Sequence, residues 1–311
     1  MKRYLPLFAS AAICAALPAS AQDAKTYPAP SEIVAAAKAE DWVAIAPSDI
    51  LVMDLAPDSN GKSRRVIIQL MPAPFSQGWV SNIRKLAAAH WWDGTSINRV
   101  QDNYVVQWAA KPESGKELVS QPPDVREQRV RPERLSAEYE RPIADVAFTP
   151  SPFKDSYAEA GFVSGWQAAR DQSTGTVWLA HCYGTVGVGR DMPPDTGDGA
   201  ELYAVIGHGP RHLDRNIANV GRVLAGIEPH AALPRGTEAL GFYKDEHQRT
   251  KITRVRLASQ IPGFPRWQMM DTASPSFAQV VQARANRTGF FVRQAGAADL
   301  CTLKVPVREV K

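Results

Sequence analysis

The chain has 311 residues, of which 44% are hydrophobic and 22% charged, and a formal net charge of +4. That is the composition of an ordinary soluble protein, long enough for one large domain or a domain with extensions. Lys2 and Arg3 supply part of the small positive excess and the other basic residues are interleaved with acids, which argues against a nucleic-acid partner.

The N-terminus, MKRYLPLFASAAICAALPASAQDA, has a basic start, an apolar run too short to span a bilayer, and Ala19-Ser20-Ala21 as a cleavage site. Ile13 before Cys14 is a poor residue for lipoprotein processing. The expectation is an exported, periplasmic protein cut after Ala21, with no membrane anchor. Cleavage leaves Cys182 and Cys301. They can pair in an oxidising compartment or remain two buried thiols, and the sequence does not decide between these.

Residues 22–48 read as an N-terminal extension containing a helix over Ser31–Glu40 with Ser31 as its N-cap. Strands are expected at 50–55 (ILVMDL) and 64–70 (RRVIIQL), joined by a hairpin at Asn60-Gly61. The intervening APDSNGKS nearly matches a phosphate-binding loop. Ala56 replaces its first glycine, however, and a strand follows where that loop needs a helix. Ala73–His90 reads as an amphipathic helix with Val80, Ile83, Leu86 and Ala87 on one side.

In the next stretch, DGTSINRVQDNYVVQW (93–108), alternation places Ile97 and Arg99 on one strand face, Asn98 and Val100 on the other. A permanent cation beside apolar neighbours is either a solvated strand end or a working group. Residues 111–160 are polar and proline-rich, and are expected to form a surface excursion without its own core. Strand-like runs follow at 161–171, 176–190, 201–207, 220–223 and 250–259, with a short helix near Ala225. The tail, 261–311, offers a helix at Ser274–Ala285 and strand-like GFFVRQ and CTLKVPV. Many short strands with few helices predict a mainly β fold, an antiparallel barrel or sandwich.

Several chemistries fall away. His208 and His212 are four apart, but Gly209 and Pro210 between them defeat a helical ligand pair, so no metal or other cofactor is expected. His181-Cys182 suggests a thiol nucleophile only until its flanking strand pattern is weighed. GFVSG (161–165) places its serine one position too late for a nucleophile elbow.

The order of elements over residues 49–259 resembles the cyclophilin-type peptidylprolyl isomerases. Ile97-Asn98-Arg99-Val100 stands where that family has Phe-His-Arg-Val. Asn103-Tyr104-Val105-Val106-Gln107 matches Gly-Phe-x-x-Gln in spacing. Ala200-Glu201-Leu202-Tyr203-Ala204 looks like Ser-Gln-Phe-Phe-Ile, His212-Leu213-Asp214 like Trp-Leu-Asp, and Val220-Gly221-Arg222-Val223 like Phe-Gly-x-Val.

The resemblance implies a closed antiparallel β-barrel over residues 49–260, carrying the 111–160 insertion, with the tail packed on it as an extension. It also implies prolyl isomerisation of unfolded or proline-containing exported chains, with Arg99 and Gln107 as catalytic residues. Asn98, Tyr104, Val105, Val188, Glu201, Tyr203 and Leu213 would bind substrate, the apolar ones being equally suited to ordinary barrel core. Asn98, Glu201 and Ile217 depart from the family's histidine, glutamine and histidine, and Val188-Gly189-Arg190 replaces Met-Ala-Asn or Met-Ala-Arg. Those departures motivate the alternative of a weakly active or inactive binding protein, a chaperone of the same fold.

Overall fold

The computed structural model describes residues 27–109 and 134–310. The export segment with its cleavage point and residues 110–133 lie outside the described residues.

The chain opens with α1 (Pro30–Ala36) and β1 (Trp42–Ile45), then the hairpin of β2 (Ile50–Leu55) and β3 (Arg64–Leu70). Gly61 takes φ 77° at the turn, and the Asp58 carboxylate accepts from the backbone N–H groups of Asn60 and Lys62, both at 2.9 Å. The Asn-Gly signal therefore works through glycine's access to positive φ and an Asx turn. Helix α2 (Gln77–Ala88) leads to β4 (Ser96–Val100) and β5 (Val105–Ala109). The chain continues through β6 (Arg141–Pro142), β7 (Phe148–Pro150), β8 (Glu159–Val163), β9 (Trp166–Asp171) and β10 (Thr176–Leu179). After these come β11 (Thr185–Val188), β12 (Glu201–Val205), β13 (Asn219–Ala225), α3 (Ile227–Ala231) and β14 (Ile252–Leu257). The tail holds β15 (Arg266–Met270), α4 (Pro275–Ala285) and β16 (Val307–Val310).

Eight strands form one antiparallel sheet in the order β14-β2-β3-β13-β11-β12-β5-β4. Its two edges meet: Ile252 N–H donates to the Thr95 carbonyl at 2.7 Å, Gly94 N–H to that of Ile252 at 2.9 Å, and Ile97 N–H to that of Thr250 at 2.9 Å. The sheet curls into a barrel whose edge strands bond to each other instead of to foreign chains. Inward-facing Met53, Ile68, Ile97, Val106, Trp108, Leu202 and Ala204 fill it, joined by Val80, Ile83 and Leu86 of α2. Each large aliphatic side chain so buried contributes about 1.5–3 kcal/mol.

A five-stranded sheet, β6-β10-β9-β8-β7, packs beside the barrel, and a three-stranded sheet, β1-β15-β16, joins the two ends of the chain. The terminal sheet and α4 form a second core around Trp42, Trp267, Phe277 and Val280. A disulfide between Cys182 and Cys301 fixes the tail to the β10–β11 connection. With a sequence separation of 119, it would stabilise by about 4–5 kcal/mol in the chain-entropy description.

The structure corrects several sequence expectations. The second half of the 111–160 segment is built into the protein: β6 and β7 are sheet edges, and Leu135, Tyr139, Ile143 and Phe148 pack against the barrel core. The 161–171 run is a hairpin turning at Ser164 (φ 48°) and Gly165 (φ 84°), and 176–190 splits into β10 and β11 of different sheets. Helix α1 stops at Ala36 and is capped by Glu32, whose carboxylate accepts from Ala29 N–H at 2.8 Å, instead of by Ser31. Residues 289–294 form no strand, and CTLKVPV becomes a 3-10 turn at Leu300–Thr302 that leads into β16. In α4, Ser274 is the N-cap, its hydroxyl accepting from Phe277 N–H at 3.1 Å, with Pro275 in the first turn.

Candidate active site

Arg99 does not share a face with Ile97. A bulge between Ile97 and Arg99 breaks the alternation, so Ile97 and Val100 both enter the barrel core while Arg99 turns outward. There the register lines up three strands: Arg99 on β4 lies opposite Gln107 on β5, which lies opposite Tyr203 on β12. Val105 and Val205 are paired two residues along the same outer face.

The guanidinium is held from behind. Its Nε donates to the Leu240 carbonyl at 2.7 Å, one terminal nitrogen to Gln107 Oε1 at 2.9 Å, and the other to Gln101 Oε1 in a short bond. Its carbon lies 5.6 Å from the Tyr104 ring centroid and 5.3 Å from that of Phe242, so two aromatic faces flank the cation. Among the described residues these bonds use three of its five N–H donors. Burial lowers its pKa, opposed by the charges of Tyr104 and Glu201, and an arginine so placed still carries its proton at neutral pH. Gln107, 6% exposed, passes the order on: its amide donates to Glu201 in a second short bond.

Beside this network lies a separate apolar cluster of Val105, Tyr203, Val205 and Leu213, with Tyr104 and Ile217 packed against it. The structure thus brings together Tyr104, Val105, Tyr203 and Leu213, which are scattered over more than a hundred positions of sequence. Two glycines make room for it. A Cβ on Gly187 would fall 2.3 Å from the Tyr203 ring and hydroxyl, and one on Gly189 would fall 2.6 Å from the Glu201 side chain. Burial raises the Tyr203 phenol pKa well above its ordinary value.

Leu213 sits on a 3-10 turn, Arg211–Leu213, anchored by buried charge. Arg211 bonds Asp214 at 2.6 Å and Asp155 at 2.8 Å, while the His181 ring lies 3.1 Å from Asp214 and stacks on Tyr203 at 6.5 Å. Arg190 holds the far end of the same turn through the Asn216 carbonyl at 3.0 Å.

Two expected site residues are placed elsewhere. Val188 is fully buried in the barrel core, on the opposite face of β11 from the site, because strand alternation turns its neighbours Gly187 and Gly189 the other way. Asn98 occupies the bulge, its backbone carbonyl accepting from Tyr243 N–H at 3.1 Å. His208 is exposed, and His212 stacks on Tyr104 with centroids 6.3 Å apart. Among the described residues no group of three or more His, Cys, Asp or Glu is placed to hold a metal, and no helix is long and apolar enough to cross a membrane.

Sequence reasoning missed Gln101, Leu240 and Phe242. The last two come from a segment laid along β4, where Arg99 and Phe242 form a β-bridge and Gly236 N–H donates to the Val100 carbonyl at 3.0 Å. The available signal was Gly241, whose φ of 81° and 2.6 Å clearance from the Gln101 Cα (measured from a built Cβ) mark a close backbone approach.

A closed eight-stranded barrel with an arginine–glutamine pair beside an apolar outer patch is the cyclophilin architecture. Residues 62–257 match the family model "Cyclophilin type peptidyl-prolyl cis-trans isomerase/CLD", a span of more than half the chain, and the chain belongs to that family. The fold is similar to the crystal structure of the cyclophilin AquaCyp293 from Hirschia baltica: TM-score 0.64 at 19% identity, covering 87% of this chain and 94% of that one. A cyclophilin-type isomerase of Cryptosporidium parvum aligns at TM-score 0.38 and 8% identity, covering 67% of this chain and 97% of that one. No curated protein sequence matches this one.

Proposed function

We propose that this isomerase acts on Xaa-Pro bonds of exported proteins in the periplasm, with Arg99 stabilising the twisted prolyl amide. A planar amide resists rotation by about 18–20 kcal/mol, and the uncatalysed prolyl step takes roughly tens to hundreds of seconds. As the bond twists, conjugation is lost and the prolyl nitrogen regains a lone pair. A donor aimed at that nitrogen gains its bond only in the twisted state, which is what lowers a barrier instead of merely tightening binding.

The observation that carries this reading is the restraint on Arg99. Leu240, Gln101 and Gln107 fix its fork, two rings flank it, and these bonds leave two N–H groups for a substrate among the described residues. The cluster of Tyr104, Val105, Tyr203 and Leu213 supplies an apolar surface for the pyrrolidine ring. Reaching a typical turnover of about 10 per second from about 10⁻² per second needs roughly 4 kcal/mol. One preorganised donor in a dry site contributes about 2.7–4 kcal/mol. Export rests on the basic-apolar-Ala-Ser-Ala order of the first 21 residues.

A protease-coupled assay on Xaa-Pro peptides tests the activity, and N-terminal sequencing of extracytoplasmic protein tests the cut after Ala21. Catalysis by the wild type supports the enzyme reading. Suppression of aggregation with no catalysis on any Xaa-Pro peptide would favour the binding-protein alternative.

A further inference from the structure

Residues 286–296 form a loop whose ends are pinned to the last turn of α4: Asn286 N–H donates to Gln282 and Gly296 N–H to Ala285, both at 3.0 Å. Its tip is Phe290-Phe291-Val292. Phe290 is 92% exposed, Phe291 40% and Val292 fully exposed, while the apolar composition that suggests a strand here has no sheet to join. Three adjacent large apolar side chains on a water-facing tip are costly unless something covers them.

Along the chain, the charge flanking the tip is of one sign. Arg284, Arg287 and Arg293 are exposed, none is in an ion pair among the described residues, and no acidic residue occurs between Asp271 and Asp299. Arg287 lies 4.5 Å over the Phe291 ring, and the two phenylalanine rings meet edge-on at 5.5 Å. The loop also sits where the N-terminal segment joins the fold, since the Thr288 hydroxyl donates to the Tyr27 carbonyl at 3.2 Å.

We propose that this loop is a membrane-docking tip, in which Phe290, Phe291 and Val292 enter the headgroup–acyl boundary of an anionic phospholipid surface while Arg284, Arg287 and Arg293 meet its phosphates. Shape favours a bilayer over a folded partner. Phe290 and Val292 are almost wholly exposed, which suits a surface that yields around them. Aromatic and aliphatic side chains flanked in sequence by cations are the composition that an anionic interface selects. Docking here would place the isomerase beside chains emerging from the membrane.

The test is co-sedimentation of the chain beginning at Gln22, which keeps every described residue, with phosphatidylcholine vesicles containing or lacking phosphatidylglycerol. It should sediment with the anionic vesicles, less in high salt, and hardly at all with the neutral ones. F290S/V292S should abolish binding. R287Q/R293Q should weaken it by about twenty-fivefold, from about fivefold per arginine. Both variants should keep wild-type melting and isomerase activity in solution, so failure of docking is distinguishable from failure of catalysis. Wild type remaining in the supernatant, or F290S/V292S sedimenting as wild type does, overturns the proposal. So does a lipid-free dimer in sedimentation velocity that F290S/V292S dissociates, which would assign the tip to a second copy of the chain.

Discussion

Strands β5 and β12 each present two faces, and the two could hardly differ more. Inward, Val106, Trp108, Leu202 and Ala204 are sealed in the barrel core. Outward, Val105, Gln107, Tyr203 and Val205 meet Arg99, Glu201 and Leu213. One register builds both, because a strand's side chains alternate with period two. The inner face is therefore expected to govern stability and the outer face turnover, and substitutions one residue apart should separate the two.

The largest expected effect is on the inner face. Trp108→Ala should lower unfolding free energy by about 3–5 kcal/mol in urea titration, with activity per folded molecule nearly kept. Next is the histidine against that tryptophan. His230 is fully buried, packs edge-on at 5.7 Å to Trp108, and has its pKa lowered to about 3, by burial first and by Arg64 second. The unfolded chain takes up this proton near pH 6.5, whereas the folded one resists until about pH 3. Stability should therefore be intact above about pH 6.5 and be lost progressively as pH falls, by about 2 kcal/mol at pH 5. His230→Met should flatten that limb of the stability–pH curve. Smaller still is Gln107→Leu on the outer face. It removes two hydrogen bonds to charged groups, and the loss of the one that orients Arg99, about 1.5 kcal/mol, should cost roughly tenfold in kcat/KM. A stability loss as large as that of Trp108→Ala would erase the distinction between the faces.

The inner face was far more legible than the outer one. Strands 50–55 and 64–70 are readable to the residue because a hairpin turn signal brackets two β-branched runs. Ser164-Gly165 is itself a turn dipeptide, so that break was legible, whereas the apolar 176–190 stretch hid the one at Cys182–Gly184, since strands buried on both faces lose their alternation. The bulge at Asn98 reversed the expected facing of Arg99, and a one-residue insertion of that kind leaves no mark in the pattern. Leu240 and Phe242 reach Arg99 across some 140 residues, beyond anything local spacing can report. The resemblance placed Arg99 and Gln107, and the backbone around them explains how they are held.

The central claim is that the outer face works through a rigidly aimed guanidinium. Arg99→Lys keeps the charge but loses the fork that bonds Leu240, Gln101 and Gln107 together. In the protease-coupled assay its kcat/KM should fall by about a hundredfold or more. Unfolding free energy should change by no more than about 1–2 kcal/mol. Wild-type turnover in that variant would mean that Arg99 is a structural cation of the β4 edge and that catalysis lies elsewhere.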